Sequence, residues 1–270
     1  MDAKEYRDQV AREMAAAKAT PAPAVPRGSD AGIDAALKVL ADGGAADDAR
    51  IAALTSLKAA AFASTNLAAR RPEYLAALRA AVDSSRGALQ HRVVATLARE
   101  KDASTQQRLV DGLTDPSRAL LPPEEAIPLI GEDVKAGVYP LLRAIVAKPP
   151  NDAARVAALR VLAADATSKD VFEKVLRDKG ESAEARKVAA AALQSLEPDA
   201  FHEHARAMVL DPSETEDMHA ASLSALAHFA GDAALAGDDE LQKGVDALHA
   251  RTASPVVKRS ARAFLDRVRR

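Results

Sequence analysis

Asp152-Ala-Ala-Arg155-Val-Ala-Ala158-Leu159-Arg-Val-Leu162 carries a long polar side chain at Arg155, a small residue three positions on and a leucine seven positions on. The same phrase recurs at Arg50/Ala53/Leu57, Gln90/Val93/Leu97, Arg186/Ala189/Leu193, His219/Ser222/Leu226 and Lys258/Ala261/Leu265. Steps of three and seven stay on one face of a helix, where a small residue lets a neighbouring helix approach closely. The first residues of successive copies lie 40, 65, 31, 33 and 39 positions apart, and 65 is close to two units. A period in the low-to-middle thirties, in helical material alone, predicts an all-α fold. The expected form is a right-handed α-α superhelix, a solenoid of about seven stacked helix pairs over residues 31–270.

Composition agrees. Alanine, the best helix former, supplies 65 of the 270 residues, against 5 Phe, 3 Tyr and no Trp. No run alternates β-branched and aromatic residues as a strand would. The absence of cysteine excludes disulfides, thiolate metal sites and cysteine nucleophiles. The longest uncharged run, Met218 to Gly231, is short of the ~20 residues that span a bilayer. The first residues carry Asp2, Glu5, Asp8 and Glu13 without an apolar stretch, unlike a signal peptide. A soluble, cytoplasmic protein is expected, and the net charge of −2 argues against non-specific nucleic-acid binding.

Along the chain, residues 1–19 are expected to form a separate amphipathic helix with Tyr6, Val10 and Met14 on one face. Residues 20–30 form a linker in which Pro21, Pro23 and Pro26 favour an extended chain. The repeats follow over 31–270. The third is irregular: Pro116, Pro122, Pro123 and Pro128 crowd it, the phrase is lost, and its second helix, near 123–132, is expected to be poorly formed. Two readings stand for it: a degenerate repeat that alters curvature, or a hinge or exposed loop at Ser117-Arg118-Ala-Leu120-Leu121 open to a partner.

Asp47-Asp48-Ala-Arg50-Ile-Ala-Ala53-Leu54 and the Asp152–Leu159 copy resemble the HEAT-repeat family of armadillo-type helical repeats, including its bacterial short-repeat members. The resemblance covers residues 31–270. It implies a ladder of Asp and Arg between successive repeats and a concave surface lined by the second helices. The sequence departs from the pattern at Gln90, where Arg is expected, and in the third repeat.

Two charged regions stand out. Residues 207–242 carry carboxylates at 211, 214, 216, 217, 232, 238, 239 and 240 and no Lys or Arg, whereas 251–270 is strongly basic. Five of the six histidines (His202, His204, His219, His228 and His249) fall nearby, but His202-Glu203-His204 lacks metal-site spacing, so no metal is expected. The first functional expectation is a non-enzymatic scaffold or adaptor that binds a protein or peptide partner on its concave repeat surface, the acidic stretch favouring a basic one that docks at Glu214 and Asp217. Arg259, Arg262 and Arg269, opposite the apolar stripe of the last helix, are candidates for an anionic partner. No catalytic residue and no cofactor is assigned. The alternative is a HEAT-like enzyme or ligand-binding protein. The resemblance points there to alkylpurine DNA glycosylases, disfavoured by the missing Trp and the negative charge, or to bilin lyases.

Overall fold

The computed structural model describes residues 30–63, 66–229, 235 and 237–269; the expected N-terminal helix and all of the linker but Asp30 lie outside them. Every long regular element among the described residues is a helix: α1 (Asp30–Ala41), α2 (Asp47–Ala63), α3 (Asn66–Ala69), α4 (Arg71–Ser84), α5 (Gly87–Arg99), α6 (Ala103–Thr114), α7 (Pro123–Ile130), α8 (Tyr139–Ala147), α9 (Asp152–Leu162), α10 (Lys169–Arg177), α11 (Ala183–Leu196), α12 (Pro198–Leu210), α13 (Glu216–Phe229), α14 (Asp239–Arg251) and α15 (Pro255–Val268). Short 3-10 turns, Pro116–Arg118 and Ala166–Ser168 among them, fill some connections.

Helix starts follow ordinary capping chemistry. Asp102, Asn151, Ser182, Asp238 and Ser254 each accept a backbone N–H of the first turn, and α4, α12 and α15 carry proline there. The recurring phrase lies on the buried face in all six copies: Ala53, Val93, Ala158, Ala189, Ser222 and Ala261 are buried, as are the six leucines seven positions after its start. Burying each leucine contributes about 1.5–3 kcal/mol.

The described residues divide into two compact units: those up to 122 with 129–133, and 123–128 with those from 134 onward. In the first, α1 pairs with α2 and α4 with α5; α1 also packs on α4, and α2 on α5. In the second, α8 pairs with α9, α10 with α11, α12 with α13 and α14 with α15. Second helices touch second helices there (α9, α11, α13, α15), first helix α12 touches first helix α14, and His204 of α12 lies 3.9 Å from Glu173 of α10. This is the packing of stacked helix pairs. The third repeat is irregular as expected. Its second helix, α7, is short, and α6 closes on the Pro116–Arg118 turn while Gln106 donates to the Leu129 carbonyl at 3.2 Å.

Charged side chains join consecutive pairs. Arg50 is fully buried: its Nε donates to the Leu40 carbonyl at 3.2 Å, and its terminal nitrogens reach the Ser84 carbonyl and hydroxyl at 3.2 and 2.7 Å. Arg186 repeats this geometry, with Nε on the Leu176 carbonyl at 2.9 Å and a two-toothed grip on Glu214 at 2.7 and 2.6 Å. Arg155 pairs with Glu181, but its buried Nε has no partner among the described residues. In each case the arginine reaches into the connection that leads to the next pair's second helix, at Ser84 before Gly87, Glu181 before Ala183 and Glu214 before Glu216. Asp47, three residues before Arg50, stands 4.0 Å from it and adds little to this contact.

A second ladder joins first helices. Arg79, Arg143 and Arg206 bond to Asp102, Asp165 and Asp238, the aspartates that cap the start of the following pair. Burial raises the Asp102 and Asp165 pKa values, but hydrogen bonds outweigh it, from Arg79 and Thr105 in one case and from Ser168 and Thr167 in the other. Both carboxyls end below the usual range.

Candidate functional site

Five carboxylates of the acidic stretch 207–242 are ion-paired with cations of the preceding helix pair. Arg186 grips Glu214 and holds it well below the ordinary carboxylate range; Lys179 and Ser213 do the same for Asp211. Lys187 pairs with Asp217 at 2.6 Å, and Arg206 holds Asp238 at 2.6 Å and Glu240 at 2.5 Å. The Glu214 side chain is 2% exposed, whereas Asp217 stays at the surface. Arg259 and Arg262 are exposed, and Arg269 pairs with Asp246 at 2.9 Å. Of these five residues, Glu214 and Asp217 lie at the start of α13, Arg259 and Arg262 on α15, and Arg269 at its C-terminal end.

The histidines do not converge. His219 is buried with Nε2 3.0 Å from the Asp211 carbonyl, and His204 lies 3.9 Å from Glu173 with its pKa lowered by burial and by Arg177. Among the described residues no cluster of three or more His, Asp or Glu could hold a metal ion. No described helix is long and apolar enough to cross a membrane.

A cavity of about 290 Å³ opens in the first unit, lined by Val82, Asp83, Arg86, Gln90, Arg108 and the turn Ser117–Leu120. It forms where the repeat pattern fails twice. Gln90 occupies the position of Arg50, Arg155 and Arg186, but its shorter amide turns back to the Val82 carbonyl at 3.4 Å and does not reach the next repeat. The next repeat's second helix, α7, is short and begins only at Pro123, so the 3-10 turn after α6 lines the cavity instead. A void is left where an arginine and its acceptor stand in regular repeats.

The lining is cationic, with Arg86, Arg108 and Arg118 against Asp83 alone. Arg108 bonds Asp83 at 2.8 Å, Arg118 bonds Asp111 at 2.9 Å, and Arg86 donates to the Ser85 carbonyl at 2.7 Å. Each of these contacts engages one terminal nitrogen of a guanidinium with five N–H donors, so donors remain for a ligand. The turn is held close to α6 by Gly112, where a Cβ would stand 2.7 Å from the Ala119 Cα. Ser117 donates to Asp115 at 2.7 Å through its hydroxyl and at 3.0 Å through its N–H, and these bonds lower the Asp115 pKa. That aspartate caps a turn and is ill-suited as a general base. The arrangement is equipped to bind an anion.

Of these residues, Arg118 falls in the loop singled out from sequence, and Gln90 was visible as a departure. Asp83, Arg86 and Arg108 carried no signal of their own.

No protein-family model matches this chain, and no curated protein is significantly similar to it. Among solved structures, human deoxyhypusine hydroxylase in complex with glycerol is similar at 18% identity. The match covers 91% of this chain and 99% of that one, with a TM-score of 0.39. That protein is an enzyme by name, and the expectation of a non-enzymatic scaffold is corrected accordingly. At this level of likeness no activity and no residue is carried across.

Proposed function

We propose that this chain is a HEAT-type repeat protein that binds a small anionic ligand in the arginine-lined cavity of its first unit. The observation that supports this reading is the coincidence of two departures from the repeat, Gln90 and the shortened second helix of the next pair, at one arginine-lined cavity. Forked guanidinium groups suit carboxylates and phosphates, and they hold a planar or tetrahedral anion through paired N–H bonds. A solvated surface arginine gains little from a neighbour, whereas three around one concavity raise the local concentration of anions.

The test is Gln90→Arg, which restores the side chain of the regular repeat and occupies the void. Calorimetric titration of inorganic phosphate and citrate into both proteins is expected to show binding of at least one anion to the native chain and none to the variant, with the helical circular dichroism unchanged. Equal titration of the two proteins, or no binding by either, would reject the cavity as a ligand site.

A further inference from the structure

We propose that copies of this chain associate head to tail, the last helix pair of one copy seating on the first pair of the next in the place of a preceding repeat. Burial at equivalent positions identifies the two end faces. The residue immediately before the recurring phrase is buried as Leu89, Ala154, Ala185, Met218 and Val257, and exposed only in the first pair, as Ala49. The residue four positions after the phrase begins is buried as Leu54, Val94, Leu159, Ala190 and Leu223, and exposed only in the last pair, as Arg262. The former position therefore faces a preceding pair and the latter a following one. The first and last pairs each present a face that is covered in the pairs between them.

Charge makes these two faces complementary. In the second unit, a cation of one second helix meets the carboxylate two residues before the next copy of the phrase. Arg160 reaches Glu184 and Lys187 reaches Asp217, each at 2.6 Å. In the first pair that carboxylate is Asp48, exposed beside Asp47 and without an ion pair among the described residues. In the last pair Arg259 stands where Lys187 does, with Lys258 and Arg262 within one turn of it. All three are exposed and unpaired among the described residues.

The cationic half of one further rung thus lies at the end of the repeats and the acidic half at their beginning. A second copy, placed in the register of the repeat itself, sets Arg259 on Asp48. Two heads or two tails would meet like charge, which selects a heterologous contact that propagates into chains or rings. Val256 is the one large apolar side chain exposed among the described residues, so this contact is mostly polar, weak and sensitive to salt.

The test is sedimentation of the full chain over a range of concentrations. The native weight-average mass is expected to climb above the monomer's 28.3 kDa with concentration at ~20 mM salt and to return to it at ~500 mM. Arg259→Glu with Arg262→Glu, and separately Asp47→Lys with Asp48→Lys, are each expected to abolish the rise. All of these substitutions in one chain exchange the signs of the two ends at unchanged net charge, and are expected to restore it. That rescue separates a head-to-tail contact from a folding defect and from a general effect of charge. A native chain that stays monomeric throughout overturns the proposal and leaves the two faces to other occupants. Association that survives either reversal, or reversals without rescue, overturns it as well.

Discussion

Replacing Glu214 by glutamine keeps its shape and removes its charge, leaving the Arg186 guanidinium in place with its side chain only 3% exposed. Breaking a buried pair by neutralising one partner destabilises by about 3–5 kcal/mol, because the remaining charge stays desolvated. Here the lower end applies. The Leu176 carbonyl still accepts Nε, and the glutamine carbonyl still accepts one of the two terminal bonds. Glu214→Gln is therefore expected to lower the stability of the second unit by about 3 kcal/mol, read as a shifted urea midpoint in far-ultraviolet circular dichroism at unchanged slope. Removing both charges with apolar side chains, Arg186→Met with Glu214→Leu, is expected to bring stability back to within about 1 kcal/mol of native or above it. The exposed neighbour Lys187–Asp217 serves as control, and Asp217→Asn should change stability by less than about 1 kcal/mol. A Glu214→Gln variant as stable as Asp217→Asn, or a double variant weaker than the single one, would refute the reasoning.

Arg50→Met leaves the Leu40 and Ser84 carbonyls without their donor and should cost about 2–4 kcal/mol, with faster amide exchange in α1, α2 and α4. Native-like exchange in those helices would contradict it. Gly112→Ala places a Cβ 2.7 Å from the Ala119 Cα, so the turn must move; a loss of about 1–3 kcal/mol and weaker anion binding should accompany each other. Retention of both would show that the turn is not held by that contact. The carboxyls of Asp102, Asp165, Glu214 and Asp238 all sit below their ordinary range in the folded chain. A depressed folded pKa stabilises above the unfolded value near about 4 and is lost as pH falls through the folded value. The melting temperature should therefore fall steadily below about pH 4, and a flat profile down to about pH 2.5 would exclude these pairs as contributors.

The helix pairs were legible because their signal is local. A small residue and a leucine at fixed steps after Arg155 or Arg186 mark the buried face, and all twelve such residues are buried. The ladder was legible only in kind. A ladder of Asp and Arg between successive repeats was expected, yet Arg186 has Ala183 three residues back and takes Glu214, 28 residues ahead, in a loop whose position depends on how pairs stack. The same non-locality concealed the neutralisation of the 207–242 carboxylates, whose partners Lys179, Arg186, Lys187 and Arg206 lie one pair upstream. Gln90 and the lost third phrase were both visible as departures. Their meeting at one cavity was not, since it depends on how far a regular arginine reaches and on what normally receives it. Arg86 and Arg108 looked like any solvated surface charge.

The ladder of the second unit runs one way: between consecutive pairs each Lys or Arg comes first and its carboxylate follows, from 22 residues later for Arg143–Asp165 to 34 for Arg206–Glu240. On a ribosome adding about 5–20 residues per second, each cation emerges roughly one to seven seconds before its anion. Arg186 must wait through the synthesis of α11 and α12 before Glu214 exists, and until then it has only water and the Leu176 carbonyl. Each helix pair therefore completes its electrostatic contacts only when its successor appears. Synthesis thus acts as a timer that locks the second unit in the order in which it is made.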